Sequence, residues 1–159
     1  MAKWRNKSMT IQLTGFDELY KEFEKAGKQA EIEGRKCFER CAEVIYDELH
    51  DKAQQAGLDE NLLEKMDDRM IEDHGIWRYE VGWRKQKPTT GNPLPDTYKV
   101  MFYNYGTPMR KTKGGQNRGR EKPHPEGSHG FIKKAKLSSK NKVKKIQQNA
   151  LKEILKGLD

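Results

Sequence analysis

Apolar and polar residues alternate over Met9-Thr10-Ile11-Gln12-Leu13, the period of a short strand. Thr14-Gly15-Phe16-Asp17 then supplies a helix start. Thr14 or Asp17 can cap exposed backbone N–H groups, and Asp17 and Glu18 complement the positive helix end. The period lengthens from there: Leu19, Phe23, Ala26 and Ala30 recur at helical spacing, and the stripe resumes after Gly34 through Phe38, Cys41, Ile45 and Leu49. No proline interrupts residues 17–54. A single helix over that stretch would run ~57 Å at ~1.5 Å per residue, with Gly27 and Gly34 as the places for a bend. Gly57 breaks it. Asp59-Glu60-Asn61 can open a second, shorter helix with Leu62, Leu63, Met66, Met70 and Ile71 on its apolar side and His74-Gly75 as its stop.

The period then drops to two. Trp77, Tyr79, Val81 and Trp83 share one face of residues 76–84, and Arg78, Glu80 and Arg84 take the other, which predicts a half-buried strand. A connector over 85–96 carries Pro88, Pro93 and Pro95. Tyr98–Tyr103 reads as a second strand, antiparallel to the first. Apolar content falls away after Gly106-Thr107-Pro108, and a long, glycine-rich basic loop follows, expected to be mobile when the protein is alone. Phe131-Ile132-Lys133-Lys134-Ala135 begins a final helix, whose apolar stripe is Val143, Ile146, Ala150, Ile154 and Leu155 with lysines over the remaining face.

Composition tempers the size of the core. The 159 residues are enough for one compact domain, but only 33% are hydrophobic against 35% charged. Mean hydropathy is −1.09. A modest core with long solvated elements follows, and such a chain tends to complete its burial against copies of itself or partners. We take 1–159 as a single domain, with residues 1–8 a flexible terminus and 107–130 a mobile basic loop. No apolar run approaches the ~20 residues of a membrane span, and no apolar stretch follows the basic N-terminus, so neither a membrane partner nor a signal peptide is expected. Cys37 and Cys41, four apart on a helix, make a poor disulfide framework. They fit a reducing compartment and read as small core residues.

Charge divides the chain. Residues 1–104 hold 17 Lys and Arg against 20 Asp and Glu, whereas residues 105–159 hold 15 against 4. The last third therefore offers a surface for polyanions or for an acidic protein neighbour. Reactive constellations are harder to find. Gly114-Gly115 and Gly119 lack the spacing and the strand–loop–helix setting of a phosphate loop, and no nucleophile-elbow or zinc-binding spacing occurs. His124 and His129, flanked by Glu121 and Glu126, are the one place for a metal-dependent nuclease, and they read more simply as a solvated pair. No catalytic, cofactor-binding or metal-binding residue is assigned. For partner contact the candidates are Gly106 and Thr107, at the turn from strand to loop, with Arg110, Lys111, Lys113, Arg118, Arg120 and Lys122 beyond them. Phe131 is the only aromatic in residues 109–159, which argues against base stacking there but leaves nonspecific phosphate contact open.

The order of these features resembles a known family. Ile11-Gln12-Leu13-Thr14-Gly15-Phe16-Asp17-Glu18-Leu19 brings a short strand into a glycine–hydrophobic–Asp-Glu-Leu helix start. A long amphipathic helix follows, then a strand pair ending in Tyr103-Asn104-Tyr105-Gly106-Thr107, then a loop into Phe131-Ile132-Lys133-Lys134-Ala135. From about residue 9 to its end the chain is similar to the phage head–tail joining or tail-completion family, the small morphogenesis proteins like gene product ten of lambdoid siphophages. It departs from the family's Thr-Gly-containing stretch after the first helix, where residues 53–63 read Ala-Gln-Gln-Ala-Gly-Leu-Asp-Glu-Asn-Leu-Leu. The resemblance implies an α+β fold, with long N-terminal and C-terminal helices packed on a small antiparallel sheet. It also implies a non-enzymatic structural role at the capsid–tail connection, in a homo-oligomeric ring contacting neck and tail proteins. The protein would be assembled in the host cytoplasm and retained in the virion. The alternative is a nonspecific DNA-binding protein that uses the basic C-terminal third.

Overall fold

The computed structural model describes residues 9–13, 21, 27–73, 76–84, 96–105 and 130–156. It is an α+β fold. In chain order come β1 (Met9–Leu13), α1 (Lys28–Gln55), α2 (Glu60–Leu63), β2 (Asp67–Asp73), β3 (Ile76–Trp83), α3 (Asp96–Tyr105) and α4 (Gly130–Lys156). The strands form one antiparallel sheet in the order β1-β3-β2. The central strand is the one whose alternation was most regular. Trp77, Tyr79, Val81 and Trp83 are all buried, as the pattern requires, and Arg78 is exposed. Glu80, expected on the solvated face, is buried as well, beside the Gln12 and Arg69 side chains of the flanking strands. Its carboxylate accepts from Arg69 Nε at 2.8 Å and Gln12 Nε2 at 3.3 Å, so the buried charge is bonded.

Three expectations are corrected. The long helix does not run unbroken from residue 17; the break falls at Gly27, one of the two places expected for a bend. It begins at Lys28, behind Gly27, whose φ of +97° lies outside the helical region and whose carbonyl accepts from Ala30 and Glu31. The helix start at Thr14–Asp17, with Leu19, Phe23 and Ala26, falls outside the described residues. Gly34 sits inside α1.

The second helix is a single turn. Asp59 caps it by accepting from Asn61 N at 2.9 Å, and Leu62 and Leu63 are buried as expected. Met70 and Ile71, assigned to its apolar side, instead lie in β2. That strand pairs with β3 and is tied to it by Asp68 to Tyr79 and by Arg69 to Glu80. Its side chains are mostly charged and exposed, as suits an edge strand. His74 and Gly75 lie outside the described residues.

The third correction concerns Tyr98–Tyr103, which is helical. Asp96, Thr97, Val100, Met101 and Asn104 are buried at helical spacing, and Tyr98 and Phe102 lie one turn apart with ring centroids at 6.4 Å. Burial of that stripe outweighs the strand preference of Tyr, Val and Phe.

Gly57 ends α1 as expected, with φ +77°. Its N–H reaches Gln54 O at 2.9 Å and Leu58 N reaches Ala53 O at 3.1 Å, while Ala53 and Leu58 are both buried. This pairing of crossed hydrogen bonds with an apolar contact is the common glycine stop.

Two compact units are woven from alternating stretches of chain. The first comprises Met1–Thr10, Leu49–Asp67 and Gly82–Lys134. Its core gathers around Trp83, which meets Phe131 edge-on at 5.9 Å and donates from Nε1 to Leu62 O at 2.5 Å. The second comprises Ile11–Glu48, Asp68–Val81 and Ala135–Asp159. Here Phe38 packs on Trp77 at 5.8 Å. α1 and α4 run antiparallel within it, since Cys41 lies against Val143 while Glu48 accepts from Ser138 and Lys142. Cys37 and Cys41 are free and buried in this core, as the sequence suggested. Their mutual hydrogen bond, with burial, holds the Cys41 thiol well above its ordinary range. Along α4, Ile154 is buried, but Leu155, placed on the same stripe, is 55% exposed.

Candidate assembly surfaces

The segment chosen for partner contact is anchored by its ends. Gly106, Thr107, Arg110, Lys111, Lys113, Arg118, Arg120 and Lys122 all lie in residues 106–129, outside the described residues, as do His124 and His129. Tyr105, just before them, ends a helix, so Gly106 and Thr107 follow α3 and not a strand. On the far side, Gly130, expected in the loop, is already the first residue of α4.

Between the two helix ends stands Asn104, 2% exposed. Its Oδ1 accepts from Ile132 N at 3.1 Å. The first turn of any helix leaves N–H groups without intrahelical partners, and Asn104 satisfies one of α4's from a residue 28 positions earlier. Gly130 has φ +57°, and a Cβ there would collide with the side chain and carbonyl of Asn104. Chain exit and chain re-entry are therefore side by side, joined by a buried hydrogen bond. The 24 residues 106–129, with six Lys and Arg against two Glu, hang from that point.

Positive charge continues along α4 in a defined row. Lys136, Lys140, Lys144, Gln148, Lys152 and Lys156 recur at every fourth position, all exposed. Side chains four apart are neighbours on a helix surface, so the row is one ridge. Lys156 bonds Glu153 at 3.0 Å. The others have no carboxylate partner among the described residues.

The same compact unit carries a row of opposite sign. Glu39, Glu43 and Asp47 recur at every fourth position of α1, exposed. They border a cleft of about 600 Å³ that also includes Ala42, Tyr46, Asp68, Met70 and Tyr79. Glu39 pairs with Arg35 at 3.3 Å. Tyr79 is 2% exposed and its hydroxyl donates to Asp68 Oδ2 at 3.0 Å. Burial and then the Asp68 carboxylate push that phenol well above its usual range, so it stays a donor. Met70 is 48% exposed.

A second cleft, of about 500 Å³, lies in the other unit among Asp59, Asn61, Leu62, Lys65, Asp96, Lys99, Phe102 and Tyr103. Its buried carboxylate is already bonded: Asp96 accepts from Lys65 Nζ at 2.8 Å and Lys99 Nζ at 3.2 Å. The Lys65 hydrogen bond, ahead of the opposing effect of burial, holds the Asp96 carboxyl below its ordinary value. Among the described residues no group of three His, Cys, Asp or Glu is placed to hold a metal ion, and no helix is long and apolar enough to cross a membrane.

Reading the sequence anticipated the lysines of α4 as a solvated face but not the acidic row of α1 or Asn104. The row was legible from its spacing of four. Asn104 was not, because its role depends on a residue 28 positions away. Set against protein-family models, curated proteins and solved structures, the chain matches none of them.

Proposed function

We propose that this protein is a structural morphogenesis component of a tailed bacteriophage. It acts at the head–tail connection or in tail completion, is assembled in the host cytoplasm with copies of itself and neck or tail proteins, and is not an enzyme. One observation carries the reading: a basic 24-residue segment, 106–129, hung between helix ends that Asn104 ties together. A segment anchored in this way can engage a neighbour while the hydrogen bond between Asn104 and Ile132 stays intact. The family-like order of motifs, from the strand and Gly15-Phe16-Asp17-Glu18-Leu19 to Phe131-Ile132-Lys133-Lys134-Ala135, supports the same reading. Disruption of the gene in the phage that encodes it should leave heads and tails that fail to join, or tails of wrong form, seen by electron microscopy. Infectious particles of normal form without the protein would exclude the role.

The lysine row of α4 favours a second reading, nonspecific binding to duplex DNA. Five phosphate contacts would give a slope of about −4.5 for log affinity against log salt. A gel-shift series that shows no duplex binding at low salt removes this alternative.

A further inference from the structure

We propose that copies of this chain associate head to tail, the lysine row of α4 in one copy docking on the Glu39–Glu43–Asp47 row and adjoining cleft of the next. The proposal rests on the reading of the protein as a multi-copy structural component and names the surfaces that join the copies.

The two rows match in sign, spacing and length. Lys136 and Lys144, with Lys140 between them, lie eight positions apart, as do Glu39 and Asp47 with Glu43 between them. Each covers about 12 Å of helix axis. Ridges of fourth-neighbour side chains packing into each other's grooves are the commonest helix–helix contact, so no unusual geometry is required. Both rows are exposed, whereas α1 and α4 meet through other positions, Cys41 and Glu48 on one side and Ser138, Lys142 and Val143 on the other. The rows are therefore not spent on each other within one protomer.

Neither row is stabilising where it stands. Like charges four apart on a helix repel, and α4 carries Lys136–Lys140, Lys140–Lys144 and Lys152–Lys156 in succession. Glu43 and Asp47 have no ion-pair partner among the described residues, and the exposed Arg35–Glu39 pair contributes little. Apposition of the rows would convert both sets of repulsions into attractions.

Apolar surface accompanies the charge on both sides. Leu137, Leu151 and Leu155 beside the lysines are 60%, 37% and 55% exposed. The acidic row borders a cleft with Ala42, Tyr46, Tyr79 and the half-exposed Met70. Such patches on a chain with a small core are places where burial is completed by association. A row of one sign cannot face its own copy, so a two-fold contact through either row is repulsive. Each row must instead face the opposite row of another copy, and where that contact is not reciprocated its repetition closes into a ring or extends as an array.

Charge reversal on the full-length protein tests this. One variant carries Lys140→Glu and Lys144→Glu, the other Glu43→Lys and Asp47→Lys, and circular dichroism confirms that each folds. Lys→Gln and Glu→Gln pairs replace any that does not. Sedimentation velocity at about 25 mM salt should show concentration-dependent association of the natural chain, reduced at about 500 mM. Each reversal alone should weaken association by at least about tenfold, and an equimolar mixture of the two should recover it, since the exchanged signs again complement. The Gln pairs should weaken association without recovery on mixing. A natural chain that stays monomeric at low salt would overturn the proposal. So would folded variants that associate as the natural chain does, or a mixture of reversed variants that does not recover. If the lysine variant lost duplex DNA in a gel shift yet self-associated normally, the row would serve nucleic acid and the proposal would again fall. Particle assembly that proceeds normally without the gene would remove the morphogenesis reading while leaving a measured head-to-tail contact intact.

Discussion

Asn104 illustrates how much one residue can decide. Its buried amide oxygen takes up an N–H of α4 that would otherwise be left without a partner away from water, and in doing so it fixes where the basic segment begins and ends. Replacement by alanine should destabilise the protein by about 1–2 kcal/mol, the cost of a lost cap, measured by urea unfolding. Asp96 acts through charge. Hydrogen bonds from Lys65 and Lys99 favour its ionised form in the folded state, so its folded carboxyl titrates below its ordinary value of 3.8. A depressed folded pKa adds stability above the unfolded pKa that is lost as pH falls through the folded one. Asp96→Asn should therefore melt below the natural chain at pH 7, and the gap should narrow as the pH is lowered below about 4. Thermal melts across that range check both statements.

At the scale of elements, neighbours overruled local preference. The 98–103 stretch is rich in the strand-favouring residues Tyr, Val and Phe, yet folds as α3 because a helix buries Thr97, Val100, Met101 and Asn104 together. Met66, Met70 and Ile71 continue a helical spacing from Leu62, yet 67–73 becomes β2 because β3 offers a ladder and oppositely charged partners. Sheet register depends on one further residue. Gly82 has φ +136°, and a Cβ on it would run into the backbone of Met9 and Thr10 in β1. Only glycine lets the two strands approach this closely. Gly82→Ala should cost at least about 2 kcal/mol, read from thermal unfolding, with faster amide exchange over Met9–Leu13. An unchanged melt would show that β1 contributes little to stability.

For the whole molecule, the hydrogen bond from Ile132 N to Asn104 closes the base of the 106–129 segment. Replacement of residues 108–127 by a glycine-serine linker of about six residues should leave the melting temperature within a few degrees of the natural chain, since loop-closure entropy changes by only about 0.6 kcal/mol per halving. The same replacement should abolish incorporation into particles if the segment contacts neck or tail proteins. A large loss of stability would instead assign 108–127 a part in the fold. Charge is also divided at this scale: the acidic balance of residues 1–104 and the basic balance of 105–159 reappear as exposed rows on α1 and α4.

By itself the sequence determined the features carried by near neighbours. Regular alternation from Trp77 to Trp83 settled β3, the stripe from Phe38 to Leu49 settled the buried face of α1, and Gly57 and Asp59 set a helix stop and a helix start. The lysines of α4 at every fourth position were equally local. Tertiary structure alone decided what depended on distant residues. β2 needed β3 to become a strand, and α3 needed a core against which to bury its stripe. Glu80 is bonded by Gln12 and Arg69, which only the neighbouring strands bring to it. Asn104 became a cap only when Ile132 arrived beside it. Periodicity reports which face of a segment is apolar; it does not report what that face will meet.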